Sequence, residues 1–205
     1  MQPVPVAPSK FTLEDKPYGK SSRWSEFMSS LGKVRNLSTR VLTVKAPLIR
    51  FITPVTSDEF NTLRSILREY ADSLQIDLCF QGFGTELAEL PGEYSEPRGA
   101  LLMGLVDEAL AGCCALRPLD SVDYPNACEM KRLYVRQDFR RSGLGRQLVE
   151  AMLDRARLAG YDCMLLDTLD DMESARSLYQ DLGFEEIPPY YYNPIEGAHY
   201  LKVNL

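Results

Sequence analysis

Residues 140–152, RRSGLGRQLVEAM, place two arginines and two glycines directly before the repeating pattern of an amphipathic helix. The first turn of a helix has backbone N–H groups without partners and a positive dipole end, so this position favours an anion. Glycines at Gly143 and Gly145 let the backbone approach a phosphate, and the two arginines add charged donors. The stretch therefore indicates a phosphate-binding turn, with a simple turn beside solvated arginines as the alternative.

The spacing of this turn separates it from the two common nucleotide motifs. It is not G-x-G-x-x-G, it lies late in the chain, and four predicted strands precede it, the central ones as antiparallel neighbours, which is not the order of a dinucleotide fold. No G-K-[ST] sequence follows the glycines, so a P-loop is excluded as well. A phosphate site of another design remains.

The rest of the chain alternates strand and helix patterns. Thr56 and Glu59 form a capping box, and apolar residues at helical spacing after it predict a helix over residues 57–74. A tight hairpin at Asp107 and Glu108 joins two apolar strands. Other strands are predicted at 48–53, 127–135, 162–168 and 198–205, with a short helix inside 81–92 and longer helices ending near Gly160 and Gly183. This order predicts an α/β fold with a mixed sheet.

Composition and charge limit the classes of function. The chain has 205 residues, 45% hydrophobic and 25% charged, as an ordinary globular protein does, and it lacks the apolar run of about 18 residues that a membrane span requires. Residues 1–50 carry a net charge of +6, so the remainder carries −12. An acidic body suits small amine substrates and disfavours a nucleic-acid footprint. We expect a small-molecule amine partner, no nucleic acid and no membrane.

The basic segment 1–46 is separate in composition from the predicted domain 47–205. It lacks the apolar core of a signal peptide, but it is rich in serine and arginine and poor in acidic residues. Two interpretations stay open, an N-terminal arm and an organellar transit segment. The first predicts a cytoplasmic protein, and the second a mitochondrial or plastid one.

Cysteine and histidine usage restricts the chemistry. The five cysteines form no C-x-x-C pair and most lie in apolar runs, which indicates buried reduced thiols and no metal site. His199 is the only histidine, which disfavours Ser-His and Cys-His hydrolases because the base would have to be that residue. Acid–base chemistry is therefore expected from Glu, Asp or Tyr.

Three motifs together carry a resemblance to a known family. The R-x-x-G-x-G of residues 140–145 follows the strand RLYV and precedes ARSLYQDLGF at 175–184. The combination resembles the GCN5-related N-acetyltransferase (GNAT) superfamily over about residues 48–204. The resemblance implies a mixed, mostly antiparallel, V-splayed sheet flanked by helices, with acetyl-CoA bound as co-substrate and no metal. A homodimer is left open.

The resemblance also assigns the coenzyme site. The backbone of Leu133 and Val135 matches the positions that pair with the pantetheine arm, and the Leu133 N–H matches the donor to the thioester carbonyl, where negative charge develops. The resemblance implies that the turn binds the pyrophosphate. The donors would be the charged side chains of Arg140 and Arg141 and the backbone N–H groups of Ser142, Gly143, Leu144, Gly145 and Arg146.

Two residues match the family's proton-transfer positions. Glu129 matches a glutamate that serves as base toward the amine, directly or through water, and Tyr179 matches the tyrosine that faces the sulfur. The alternatives are a hairpin-paired carboxylate and a core tyrosine. Met172 stands where many members have an asparagine, which puts one pantetheine contact in doubt.

Acceptor residues are predicted at Arg132 and Tyr191. Lys131 and Arg132 are candidates for a substrate carboxylate, although strand alternation sends neighbours to opposite faces, so both are not expected in one site. Tyr191 lies in PYYYNP, an aromatic wall or a cap on the core, and residues 80–94 fall where the superfamily varies its acceptor cleft. The predicted function is acetyl transfer to a small or amino-acid-like amine. The alternatives are protein N-terminal or lysine acetylation, and a non-catalytic acyl-CoA-binding module.

Overall fold

The computed structural model describes residues 47–205, so the predicted arm or transit segment 1–46 lies outside the described residues. The strands are β1 (Ile49–Ile52), β2 (Ala100–Val106), β3 (Ala109–Leu119), β4 (Ala127–Val135), β5 (Cys163–Leu169), β6 (Glu185–Ile187) and β7 (Ala198–Asn204). The helices are α1 (Ser57–Leu74), α2 (Phe83–Glu89), α3 (Leu144–Leu158) and α4 (Glu173–Asp181). The strands form one sheet in the order β1-β2-β3-β4-β5-β7-β6.

Helices cover both faces of the centre of this sheet. On one face Leu144, Leu148 and Met152 of α3 pack with Leu102 of β2. On the other face the helix α1 packs through Leu63, Ile66 and Leu67 against Leu101 and Met103 of the same strand. Burial on both faces explains why β2 reads as the continuous apolar run ALLMGLV instead of an alternating pattern.

Local signals in the sequence set the starts and turns of these elements. The capping box is present, since the Glu59 carboxylate accepts from the Thr56 N–H at 2.8 Å and the Thr56 hydroxyl accepts from the Glu59 N–H at 3.2 Å. The hairpin between β2 and β3 turns at Asp107 and Glu108, both with positive φ, as a primed turn requires. Both predictions are confirmed.

One strand was not predicted. Glu185–Ile187 forms β6 at the edge of the sheet and pairs with β7. Its sequence, EEI, has no alternating pattern, so the pairing partner and not local sequence makes it a strand. The other elements agree with the prediction within about two residues, which is the usual uncertainty of element ends.

The sheet opens at its centre, between β4 and β5. These two strands are the parallel pair of the sheet, and they pair only over Ala127–Glu129 with Cys163–Leu165. Beyond this point β4 continues beside β3, and β5 continues beside β7 as far as Leu169. The result is the mixed, mostly antiparallel, V-splayed sheet that the resemblance implied, with a cleft between the diverging strands.

His199 on β7 lies between two carboxylates. Its Nε2 is 2.6 Å from an Asp170 oxygen and its Nδ1 is 2.7 Å from a Glu186 oxygen. Hydrogen bonds to Asp170 and then to Glu186 raise the pKa of His199 above its usual value. Because the pKa is higher in the folded protein, the His199 contribution to stability is complete below the unfolded pKa and is lost as the pH rises through the folded pKa.

We therefore expect an NMR titration of this only histidine to give a pKa above about 6.5. Changing Asp170→Asn together with Glu186→Gln should bring the pKa back toward that value, since both carboxylate partners are then neutral. A wild-type pKa at or below the ordinary value would contradict the observed geometry.

Candidate active site

The opening between β4 and β5 contains a cavity of about 90 Å³. Leu133 of β4 and Tyr179 of α4 line it, together with Asp167 of β5 and Met172 before α4. A channel of about 470 Å³ shares Leu133 and Met172 and continues along Val135, Arg140 and Gly145 to the start of α3. The cleft therefore brings the predicted thioester position, Leu133 and Tyr179, into one continuous path with the predicted phosphate turn.

The start of α3 has the geometry of an anion site. Gly143 precedes the helix with φ +84°, and a Cβ added there would meet no atom closer than Gln147 Nε2 at 3.9 Å. Gly143 is the N-cap residue of α3 and has no side chain that could cap the helix. The Ser142 hydroxyl accepts a hydrogen bond from the Leu144 N–H at 3.3 Å. The turn therefore has open space beside Gly143, whereas the Leu144 N–H, one of the predicted donors to the pyrophosphate, already has the Ser142 hydroxyl as its acceptor.

The predicted arginines differ in their surroundings. Arg140 lines the channel and donates from Nε to the Val135 carbonyl at 3.1 Å. Arg141 is exposed and has a positive φ. The Arg146 guanidinium instead lies 2.8 Å from Asp181 of α4. Among the three, Arg140 is the one that the structure places beside the channel.

A bulge in β4 changes which residues share a face. Arg132 has φ +59°, and the β3–β4 register shifts between Cys113 and Ala115, so β4 has one residue more than its partner there. As a result Lys131 and Arg132 share a face: Ala115, the cross-strand neighbour of Lys131, belongs to the same core cluster as Phe83, over whose ring the Arg132 guanidinium lies. The expectation that these neighbours point to opposite faces was wrong, because regular alternation stops at the bulge.

Arg132 is engaged by protein groups. Its Nε lies 3.0 Å from the Glu86 carboxylate, which also accepts from the second terminal nitrogen, and its Nη1 donates to the Gln81 amide oxygen at 2.9 Å. The guanidinium also lies 5.2 Å from the centre of the Phe83 ring. Arg132 thus ties β4 to the segment 78–89, and a role in substrate binding stays a prediction.

Glu129 lies in a charged network and is 1% exposed. The Arg117 Nε is 2.7 Å from one of its oxygens, and the Tyr190 hydroxyl donates to the other at 2.8 Å. The Lys131 ammonium lies 3.5 Å from the same oxygen as Tyr190. Arg117 is the cross-strand neighbour of Glu129 on β3, so the carboxylate has a structural partner whether or not it accepts a proton in catalysis.

Tyr179 is buried in the core and also lines the cavity. The ring packs against Phe184 with centroids 5.6 Å apart. Burial, with a smaller contribution from the charge of Asp167, raises the pKa of Tyr179. The phenol therefore stays protonated near neutral pH and retains a proton to donate.

Asp167 is a site residue that the sequence reasoning missed. Its Oδ1 is 3.0 Å from the Lys131 ammonium, and its Oδ2 accepts from the Tyr191 hydroxyl at 2.8 Å and from Asn193 at 3.4 Å. Burial acts to raise its pKa, but Lys131 and the Tyr191 hydrogen bond outweigh burial, and the pKa of Asp167 is lowered. An acidic residue inside the apolar strand MLLDT was the available signal.

A second pocket of about 320 Å³ adjoins the cavity across Lys131. Tyr190, Tyr191 and Tyr192 form one wall, and Glu129 lies on its floor with Lys131. Phe80 and Gln81 border both spaces. The predicted acceptor segments 80–94 and 189–194 therefore both contribute residues to this pocket.

Met172, which stands where many family members have an asparagine, lies on the predicted pantetheine side of the cleft. It lines both the cavity and the channel, and its sulfur is 3.6 Å from the Thr168 hydroxyl. A thioether gives apolar contact and only a weak acceptor, so it cannot supply the hydrogen bonds of an asparagine.

The cysteines and the helices set further limits on the chemistry within residues 47–205. Cys113, Cys114, Cys128 and Cys163 are buried free thiols, whereas Cys79 is an exposed one. Burial raises the pKa of Cys113 to about 12, which keeps it protonated. In the same range no group of His, Cys, Asp and Glu is arranged to hold a metal ion. None of the helices described there is long and apolar enough to cross a membrane.

Comparison with known proteins gives a consistent result. A family model described as Acetyltransferase (GNAT) family matches residues 63–184. An uncharacterized N-acetyltransferase of Schizosaccharomyces pombe is 37% identical over 153 residues, covering 74% of this chain and 90% of the relative.

Two solved structures share the fold. An acetyltransferase from Streptococcus agalactiae superposes with a TM-score of 0.63 at 19% identity, over 77% of this chain and 98% of that one. A putative acetyltransferase from Salmonella typhimurium, solved with its cofactor acetyl-CoA, gives a TM-score of 0.53 at 18% identity, over 78% and 94% of the two chains.

Proposed function

Because the chain belongs to the GNAT acetyltransferase family, we propose that it transfers the acetyl group of acetyl-CoA to the amine of a small or amino-acid-like molecule, by direct attack of the amine on the thioester. The observation that carries the proposal is the end of β4–β5 pairing at Glu129. This opening brings Leu133 and Tyr179 to one cavity and connects that cavity to the start of α3.

The residues present suit acetyl-CoA. The first turn of α3, with open space beside Gly143, suits a pyrophosphate, and Arg140 adds a positive charge beside it. Within residues 47–205, the edge of β4 that faces β5 pairs with no strand past Glu129, over the stretch that contains Leu133 and Val135. That edge is available to a pantetheine amide, and acetyl-CoA supplies the activated acetyl group when bound.

The chain's own residues then divide the chemistry. The Leu133 N–H would donate to the carbonyl oxygen as negative charge develops on it. Tyr179, which lines the cavity, would give its proton to the departing sulfur. Glu129 would accept the proton of the amine, directly or through a water, and Arg117, Lys131 and Tyr190 hold its carboxylate in place.

The second pocket supports a small acceptor. Its volume of about 320 Å³ lies at the lower end of the range for small-molecule sites. The tyrosines 190–192 line it together with Phe80 and Gln81 of the segment 80–94. To test this, the products formed from a set of amines and from a set of peptides would be compared by mass spectrometry. Acetylated amines are expected, and acetylation of peptides alone would favour the protein-acetylating alternative.

A matched pair of glycine variants tests the phosphate turn. Gly143 and Gly160 precede and follow α3 with φ of +84° and +82°, and both have open space around an added Cβ. Gly143→Leu and Gly160→Leu should therefore carry a similar strain of about 1–2 kcal/mol. Only Gly143→Leu should weaken acetyl-CoA binding, by about tenfold or more, because a hydrogen bond to a charged group contributes about 1.5–3 kcal/mol.

The measurement is calorimetric titration of acetyl-CoA into each folded variant. Equal affinities in the two variants would show that Gly143 only shapes a turn. Unfolding of Gly143→Leu with Gly160→Leu still folded would favour the same interpretation.

A further inference from the structure

Five charged side chains form a row of alternating sign across the acceptor side of the cleft. We define this charge row as Glu93, Arg117, Glu129, Lys131 and Asp167. The successive N–O distances are 2.6, 2.7, 3.5 and 3.0 Å. The row begins and ends with a carboxylate, so it has three negative charges and two positive ones.

The two ends of the charge row differ in their access to water. The Glu93 side chain is 68% exposed, and solvent therefore stabilises its charge. The Asp167 side chain is 14% exposed and lines the cavity that Leu133 and Tyr179 share. Among the residues that line that cavity in the described part of the chain, Asp167 is the one with an acidic side chain. The row therefore places a largely buried carboxylate at the cavity, held there by Lys131 and the Tyr191 hydroxyl.

The cations near Asp167 are already bound to other carboxylates. Lys131 is divided between Asp167 and Glu129, and the Arg132 guanidinium is held by Glu86 through two nitrogens. The Asp167 carboxylate accepts three hydrogen bonds, from Lys131, Tyr191 and Asn193, of the roughly four that a carboxylate can accept. It therefore has room for one further donor.

We propose that Asp167 binds the ammonium group of the acceptor, and that the preferred acceptor is an amine without a carboxylate on the neighbouring carbon. The proposal rests on the function proposed above and narrows its substrate class. An ammonium at Asp167 neutralises the charge row, and its substituent reaches the tyrosine-walled pocket across Lys131. A neighbouring carboxylate would lie near Asp167 and Glu129, and the cations there already have partners, so it would be repelled.

The reaction balances as follows for this substrate. The bond between nitrogen and the acetyl carbon forms, and the bond between that carbon and sulfur breaks. The ammonium nitrogen loses two protons in total. Both protons leave to solvent on the Glu129 side, Tyr179 gives its own proton to the departing sulfur, and one proton from solvent restores Tyr179, so one proton is released per turnover.

The test uses pairs of amines that differ only in the α-carboxylate: phenethylamine with phenylalanine, tyramine with tyrosine, and histamine with histidine. Steady-state acetylation by the full chain should give a kcat/KM at least about tenfold higher for the amine than for the amino acid, as expected for one unfavourable charge contact. Asp167→Asn should raise the KM of the amine by about 30-fold or more, while the Kd of acetyl-CoA stays the same.

Lys131→Gln separates ammonium binding from a structural role. This variant frees Asp167 from its internal cation, so the KM of the amine should fall, whereas a purely structural row predicts that both variants raise it. Asp123→Asn, on the exposed β3–β4 loop, is the matched control and should change neither constant. If Asp167→Asn fails to fold, the amine KM of Lys131→Gln and the wild-type preference for amines over amino acids still test the proposal.

The failing outcomes are distinct. Preference for the amino acids, or an unchanged amine KM in folded Asp167→Asn, would overturn the assignment of Asp167 while leaving the acetyltransferase function intact. Binding of acetyl-CoA without acetylation of any member of the pairs would contradict the proposed function itself, and the inference with it.

Discussion

Changing Tyr179→Phe is expected to lower turnover by about 10²-fold, the lower end for loss of a positioned proton donor. The change removes the hydroxyl and keeps the ring, so the packing against Phe184 in the core should be retained. The reason for the loss is that Tyr179 lines the cavity, where its hydroxyl would protonate the sulfur. The readout is kcat for thiol release at saturating acetyl-CoA.

The control for this variant is acetyl-CoA affinity, which should be unchanged because the hydroxyl is not part of the phosphate turn. The midpoint of thermal unfolding should also be close to that of the wild type. Full turnover in Tyr179→Phe would assign the residue to the core alone, and the sulfur would then have to be protonated by another group.

Changing Glu129→Gln should lower activity near neutral pH by about 10²-fold or more, since the amine loses its proton acceptor. At higher pH the amine loses its proton to solvent, so activity should partly recover. The measurement is kcat/KM for the amine against pH, in parallel for the wild type and the variant. Recovery of the variant toward the wild-type value is the expected result.

Stability must be measured beside activity for this variant. Glu129 is 1% exposed and holds Arg117 and Lys131, and removing one partner of a buried ion pair costs about 3–5 kcal/mol. The glutamine keeps the size of the side chain, so a folded but less stable protein is expected. Full turnover with the wild-type pH profile would show that Glu129 is only the structural partner of Arg117.

The fold follows from local signals at most positions. The capping box at Thr56, the hairpin at Asp107 and Glu108, and the helix-ending glycines at 160 and 183 each specify their turn within a few residues of sequence. β6 could not be predicted this way, because its sequence favours no strand and only the neighbouring β7 makes it one.

The site is less accessible to sequence reasoning, because it depends on register. The bulge at Arg132 places Lys131 and Arg132 on one face. No residue pattern in ACEMKRLYV predicts the positive φ of Arg132. The partners of Glu129 come from β3 and from the segment after β6, and these contacts are set by strand pairing. Asp167 was the exception, since a carboxylate in an apolar strand is an anomaly that the sequence itself shows.

The backbone positions of the coenzyme site came from the family resemblance and stay predictions. Leu133 and Val135 of β4 and the start of α3 lie along one channel, and side-chain identity matters little for backbone contacts. Acceptor residues depend instead on loops that come together only in the folded chain, as Gln81 and Tyr191 do at 3.3 Å.

The central claim is that this cleft moves an acetyl group from acetyl-CoA to an amine. The most direct measurement is the release of coenzyme A thiol by the full chain, with acetyl-CoA alone and with each member of a panel of small amines. The account predicts that thiol release depends on the amine and that acetylated amine forms in equal amount. Tight binding of acetyl-CoA with no amine-dependent thiol release would contradict the account and leave a non-catalytic acyl-CoA-binding module.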